Sequence, residues 1–318
     1  MKIRVSMIFV AVSAIFMVLG CDTLIPTVVS KTNVVFNLTD APVDSANIKS
    51  VFVKFGGLKI NLSRTAAESS GSWIDIPIDT TVEYDLLSLT GGVTALLGNA
   101  GLTAGTQVNQ IRFVNPTIEI VETANPTTRL PCTLASSTGL KIVNAFDIPL
   151  TGTLTLTVDF DVRKSLIVTG GSGQGGKGGQ SGQSGQGGQS GQGTSSTYRM
   201  KPVLRAVVSN EAGQISGSIP SGYAVYAYKD GTYNSSEATA ADSDSVAFSK
   251  SVTSAKAVEG VGAAAGTWHY KLAFLEAGTY DLVVVNLNAD PDVVDSATYV
   301  DIVVASDITT TKNIGIIQ

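Results

Sequence analysis

At 318 residues and 32.8 kDa the chain is longer than one compact core usually accommodates, so two domains are expected. A hydrophobic content of 43% excludes a wholly disordered chain, and a net charge of −5 excludes a nucleic-acid binder held by a basic field. One His and two Cys exclude most metal centres and His-based catalytic constellations, and no cofactor is expected.

The chain opens with Lys2 and Arg4, followed by an apolar run from Val5 to Leu19. That run is too short for the roughly 20 residues that span a bilayer and reads as a signal peptide over residues 1–20. It closes on Val18-Leu19-Gly20-Cys21, which resembles the lipobox of bacterial lipoproteins. The resemblance implies cleavage between Gly20 and Cys21 and acylation of Cys21. Several acyl chains, at about 0.8 kcal/mol per buried methylene, hold a protein on a membrane where one does not. Loss of residues 1–20 removes two of the 21 bases and none of the 26 acids, which takes the net charge to −7. The expectation is an exported protein, lipid-anchored in the bacterial cell envelope, with residues 21–32 as a tether. Asp22 resembles an inner-membrane retention signal in lineages with enterobacterial-type sorting, and the choice of membrane stays open. With Cys21 acylated, Cys132 has no intrachain partner and reads as a small buried hydrophobe.

Beyond the tether the dominant signal is alternation with period two. Runs at Val34 to Leu38, Leu58 to Leu62 and Val108 to Val114 predict strands. Thr94 to Gly98, flanked by glycines, is the best candidate for a turn or two of helix. The clearest strand places Leu154, Leu156, Val158, Phe160 and Val162 on one face. Thr153, Thr155, Thr157, Asp159 and Asp161 take the other, which predicts a half-buried strand. Residues 170–193 then hold 13 Gly, 6 Gln, 4 Ser and one Lys, a composition that buries no apolar area and reads as a flexible coil. Matches to a phosphate-cradling glycine loop inside it (Gly171, Gly173, Gly176) follow from its composition alone. Strand-like segments on both sides favour a long hairpin insertion over a domain boundary, which is expected near Ser209 to Gly213. Further strands are predicted at Trp268 to Phe274, Tyr280 to Val285 and Tyr299 to Val304. In the first of these Trp268, Tyr270, Leu272 and Phe274 share a face and His269 looks to solvent. The pattern predicts an all-β fold of two β-sandwich modules.

Asn37-Leu38-Thr39-Asp40-Ala41-Pro42-Val43-Asp44, Asp85-Leu86-Leu87-Ser88-Leu89, Gln110-Ile111-Arg112, Gly139-Leu140-Lys141-Ile142, Asp159-Phe160-Asp161 and Lys201-Pro202-Val203-Leu204-Arg205 occur in an order that resembles the bacterial domain of unknown function 4382, over residues 33–208. The resemblance implies no activity or site residues. Residues 212–318 carry Gln214-Ile215-Ser216-Gly217-Ser218-Ile219, Val225-Tyr226-Ala227-Tyr228 and Gly278-Thr279-Tyr280. They resemble the carboxypeptidase-regulatory-like, transthyretin-like sandwich, which implies a structural or binding accessory with Tyr280 placed over the core.

Carboxylates offer the remaining chemistry. Asp290, Asp292 and Asp295 in one loop, and Asp242 with Asp244 in another, have spacings suited to calcium, and solvated acidic loops are the reading preferred over a metal site. Asp40 and Asp44, flanking Pro42, are expected to cap a turn. The function expected is non-catalytic binding or scaffolding at the membrane, with a carbohydrate or protein ligand and no nucleic acid. Tyr223, Tyr226, Tyr228 and Tyr233 offer a contact face, with burial an equal reading for Tyr226 and Tyr228. A purely structural envelope component and a carboxylate-dependent glycoside hydrolase are the alternatives.

Overall fold

A computed structural model describes residues 30–41, 47–63, 65, 72–136, 139–169, 197–240, 246–287 and 296–316. Module 1 is built from β1 (Lys31–Thr39), β2 (Ile48–Lys54), β3 (Gly57–Asn61), β4 (Ile74–Ile76), β5 (Glu83–Asp85), β6 (Ala95–Thr103), β7 (Gln107–Val114), β8 (Thr117–Glu122), β9 (Arg129–Leu134), β10 (Leu140–Asp147), β11 (Thr153–Phe160), β12 (Leu166–Thr169), β13 (Thr197–Met200) and β14 (Leu204–Val208). They form three sheets, in the orders β14-β11-β1-β6, β10-β7-β3-β4 and β12-β13-β9-β8-β2-β5. Phe36, Leu156, Leu58, Ile111, Val51 and Ile120 come from all three sheets and meet in one core. Burying such side chains stabilises the module by roughly 1.5–3 kcal/mol each.

The chain leaves β11 through a single helical turn, α1 (Val162–Ser165), and enters β12 in a different sheet. β12 pairs antiparallel with β13 from Leu166 opposite Met200 to Thr169 opposite Thr197, on either side of residues 170–196. β14 then pairs antiparallel with β11, so both flanks of the glycine-rich tract belong to module 1. Met200 and Ala206 lie in its core.

Two expectations fail here. Thr94 to Gly98 is not helical; its residues lead into β6, which pairs antiparallel with β1. The cause is tertiary: Gly98 bridges Ile78, and a Cβ on Gly98 would lie 2.2 Å from the Pro77 carbonyl oxygen, so the glycine admits a crossing chain. β11 is not half-buried either, because Thr157, Asp159 and Asp161 are as enclosed as the apolar face. Neighbouring structure covers that polar face at the C-terminal end of the strand.

Module 2 comprises β15 (Ala212–Ser218), β16 (Tyr223–Lys229), β17 (Thr253–Lys256), β18 (Val258–Glu259), β19 (Trp268–Glu276), β20 (Gly278–Asn286), β21 (Ser296–Val304) and β22 (Thr309–Thr311). Its sheets, β18-β19-β15-β22 and β17-β16-β20-β21, enclose Ile215, Val225, Leu272, Leu275, Leu282 and Val284. Gly278 turns the chain at φ 154°, and fully buried Tyr280 donates its hydroxyl to the Glu276 carbonyl at 2.8 Å. In β19 the alternation holds as far as Leu272 and then slips. The register shifts against β15 between Gly213 and Ile215, and Leu275 takes the core position expected of Phe274. The bulge is a β-strand device for re-aiming a residue.

β15 needs its glycines. A Cβ on Gly217 would sit 2.0 Å from the Lys312 carbonyl oxygen, where the last segment of the chain crosses. Gly217→Ala is therefore expected to cost about 1–3 kcal/mol, the usual range for overpacking, seen as a lower urea midpoint with an unchanged slope.

Candidate functional site: the joint between the modules

Among the described residues, most of the buried charged side chains lie where β11, α1 and β14 of module 1 meet module 2. Asp161 follows β11 and caps α1. Its Oδ1 accepts the Lys164 N–H at 3.0 Å, and its Oδ2 pairs with Lys164 Nζ at 2.8 Å. A second acid serves the same turn, since Asp40, directly after β1, accepts the Val162 N–H at 3.0 Å. Carboxylates at the start of a turn satisfy N–H groups that have no partner inside it. The turn that Asp40 caps lies 122 residues away along the chain. Asp44 lies outside the described residues.

Held this way, α1 projects two cations into module 2. Arg163, only 4% exposed, donates from Nη1 to the Ala247 carbonyl at 2.7 Å. From Nη2 it donates to the Phe248 carbonyl at 3.1 Å and to Ser251 Oγ at 2.9 Å. Its guanidinium lies 5.1 Å from the centre of the Tyr226 ring. Lys164 Nζ donates to the Ser251 carbonyl at 2.5 Å. Arg205 of β14 makes the second bridge, contacting Asp159 Oδ2 through Nε at 2.9 Å and Nη2 at 2.7 Å while donating from Nη1 to the Phe274 carbonyl at 2.7 Å.

Two of the acceptor residues share an uncommon backbone. Phe248 and Phe274 have φ of 56° and 54°. The left-handed region costs a bulky L-residue of order 1–3 kcal/mol and persists where surrounding structure fixes it. At both positions the carbonyl receives a module 1 arginine. In β19 the bulge that displaces Phe274 from the core is what frees this carbonyl from the ladder. Gly92 completes the fit, since a Cβ there would come within 3.0 Å of Ala273 Cβ and Lys271 Nζ.

Two shallow clefts flank the contact. One, of about 230 Å³, lies among Gly92, Gln214, Lys271, Phe274 and Ile308. The other, of about 320 Å³, lies among Lys141, Val143, Leu204, Val252 and Glu276. Both are at or below the small end of ligand-sized cavities.

Charge is balanced tightly inside the joint. Burial pushes the Asp40 carboxyl well above the usual carboxylate range; the Val162 N–H opposes this, and the charges of Asp159 and Asp161 add to it. Burial also raises Asp159, against the pull of Arg205. Asp40 Oδ2 and Asp159 Oδ1 have no hydrogen-bond partner among the described residues. A neutral Asp40 leaves two carboxylates, Asp159 and Asp161, facing Arg205 and Lys164, which is how this many acids are accommodated together. The arrangement fixes one module on the other, and its acids face inward.

The residues singled out in the sequence fall elsewhere. Gly20, Cys21, Asp242, Asp244, Asp290, Asp292 and Asp295 lie outside the described residues. Among the described residues no three or more His, Cys, Asp or Glu are grouped to hold a metal ion. Tyr223, Tyr226 and Tyr228 are buried, so they form no contact face; Tyr226 stacks on Phe248 and Tyr228 meets Tyr233 edge-on. His269 is exposed, with Nε2 3.0 Å from Thr267 Oγ1. Cys132 is a buried free thiol that burial pushes up to about 12. It is expected to resist thiol-specific reagents at pH 8 in the native protein and to react at once in denaturant; rapid native labelling would show that the site opens. Arg163, Lys164, Phe248 and Ser251 were missed from the sequence. The available signal was Asp161-Val162-Arg163-Lys164, a charged cluster that interrupts an alternating strand.

Residues 31–176 match the model of a family described as Domain of unknown function (DUF4382). That match runs from β1 through β12, and β13 and β14 pack into the same core beyond it. Two solved structures are similar at low level. The Bacillus anthracis TIE protein is 10% identical with a TM-score of 0.18, over 89% of this chain and 34% of that one, so this chain spans about a third of its length. GBS52, the minor pilin in the gram-positive pathogen Streptococcus agalactiae, is 6% identical with a TM-score of 0.18, over 89% of this chain and 94% of that one. Superpositions this distant carry no weight for function. No curated protein matches the sequence.

Proposed function

We propose that this chain, whose first module carries the DUF4382 domain, is a non-catalytic envelope lipoprotein: a jointed pair of β modules, tethered through lipid on Cys21, that acts as one rigid binding or scaffolding arm. The observation that carries the reading is the joint itself. The buried acids and bases of module 1 are engaged in holding module 2, in place of lining an open cleft where a substrate would meet them. A glycoside hydrolase needs two carboxylates facing a sugar, and the enclosed Asp159 and Asp161 face Arg205 and Lys164.

Chain direction supports the tethered arrangement. β1 begins at Lys31, opposite Thr103, and ends at Thr39, opposite Asp159. A tether over residues 21–32 therefore enters module 1 at the end of β1 away from Asp40 and the joint. In module 2, β19 and β20 run between the joint and a far end marked by Trp268 and Asn286. We assign module 2 to the transthyretin-like sandwiches on the strength of its two four-stranded sheets and the Gly278-Thr279-Tyr280 turn with its buried ring. Its partner in the envelope is a carbohydrate or a protein.

The anchor is tested by intact mass of the protein from membranes. The expected species starts at residue 21 and carries acyl chains, and Cys21→Ala releases an exported soluble form. An unmodified thiol at Cys21, or residues 1–20 still attached, contradicts the anchor. A glycan and protein array probed with residues 22–318 tests the binding role.

A further inference from the structure

We propose that the Asp40 carboxyl is a proton-operated latch on the joint: protonated, it seats α1 so that Arg163 and Lys164 engage module 2, and loss of the proton unseats them. The inference goes beyond anchoring and scaffolding, since it makes the geometry of the arm respond to pH.

Asp40 is 4% exposed, and its Oδ1 holds the first N–H of α1, the turn that carries the contacts of Arg163 and Lys164 to residues 247–251. Its other oxygen has no partner among the described residues, so an ionised Asp40 has one oxygen enclosed without a donor. The charged groups facing it are Asp159 at the end of β11, Asp161 at the start of α1, and the bases bound to these two, Arg205 and Lys164. Module 2 contributes backbone carbonyls and the Ser251 hydroxyl to this region, which add no positive charge. With Asp40 neutral, two acids face two bases. Ionisation adds a third negative charge in a low-dielectric site, directly against the one-turn α1, whose first N–H groups are held by Asp40 and Asp161. Burial and the neighbouring carboxylates both favour the protonated form, which is the direction the latch requires.

The sign follows from linkage. The closed joint binds one proton more than the open one between the ordinary carboxylate range and the raised value of Asp40. Closure is therefore complete at low pH, the closed-to-open ratio falls about tenfold per pH unit between these two values, and it levels off once pH exceeds the raised value.

The test uses residues 22–318 titrated from pH 5 to pH 10, with small-angle scattering for the separation of the modules and infrared difference spectroscopy for protonated carboxyl. The wild type is expected to be compact at pH 5 and to extend as pH rises, with the protonated-carboxyl band lost in step. Asp40→Asn keeps an acceptor for the Val162 N–H and cannot ionise, so it stays compact throughout. Arg163→Ala is extended at every pH. A wild type that stays compact to pH 10, or an Asp40→Asn protein that extends with the same midpoint, overturns the latch. If Asp40→Asn does not fold, the wild-type data decide: band loss and extension at one pH support the latch, and at separate pH values refute it.

Discussion

Arg163→Ala is expected to cause the largest loss of stability of any single truncation at the joint. The side chain is enclosed, and its removal takes the arginine donor from the Ala247 carbonyl, and one of the partners from the Phe248 carbonyl and the Ser251 hydroxyl, which stay bonded to each other, while emptying the space over Tyr226. A buried polar group left without a partner costs about 1–3 kcal/mol, and the lost charged hydrogen bonds to Phe248 and Ser251 add to it, so a total of roughly 3–5 kcal/mol is expected, part of it recovered by water entering the gap. Phe248 adds to the effect, because its left-handed backbone loses one of the contacts that hold it. Arg163→Lys is expected to restore less than half, since an ammonium cannot reach two carbonyls and a hydroxyl with the planar fork of a guanidinium. Calorimetry measures both. A loss below about 1 kcal/mol for Arg163→Ala would place the hold between the modules elsewhere.

The second large effect is at Asp159. Asp159→Ala leaves Arg205, which is three-quarters buried, without its anion while its Nη1 still reaches Phe274. Removing one partner of such a pair is expected to cost about 3–4 kcal/mol. In a double-mutant cycle with Arg205→Ala the two losses are expected to overlap by about 1–3 kcal/mol, because each single change already breaks the same pair. Full additivity would mean the pair contributes nothing. The pH dependence runs opposite to that of an ordinary ion-paired acid. Asp40 and Asp159 are both raised on folding, so the contribution of their protonation is complete below the unfolded carboxylate value and is lost as pH climbs through the folded values. Asp40→Asn is accordingly expected to gain stability over wild type at pH 8 and to lose that advantage near pH 3, as read by thermal midpoints.

The sequence carried the parts of the fold that depend on neighbours along the chain. The alternation of Leu154, Leu156, Val158 and Phe160 marks a core face whatever lies across the sheet, and β11 forms there. It was silent where a distant segment overrides local preference. Thr94 to Gly98 has the small flanking residues of a short turn, yet Pro77 crossing at Gly98 and the ladder to β1 make it part of a strand. Phe274 continues a regular alternation on paper, and the bulge that turns it away is visible only once β15 is paired beside it.

The joint was illegible for the same reason. Thr157, Asp159 and Asp161 read as a solvent face because half a strand in isolation has only water on that side, whereas β14 and module 2 supply the cover. The motif residues Asp159, Asp161 and Arg205 were picked out by their resemblance to a family pattern, without a role, and Asp40 with the role of capping a turn. Their role depends on Phe248 and Phe274, 85 and 69 residues away from the arginines that bind them.

The most direct test of a rigid arm is a distance distribution between spin labels on the two modules, at Lys49→Cys in β2 and Val300→Cys in β21, in residues 22–318 at pH 5. Cys132 is buried and its thiol is held protonated, so it stays unlabelled. A single narrow peak that broadens in Arg163→Ala is the expected result. A broad wild-type distribution, unchanged by Arg163→Ala, would mean that the modules swing independently, and the account of a fixed joint would be wrong.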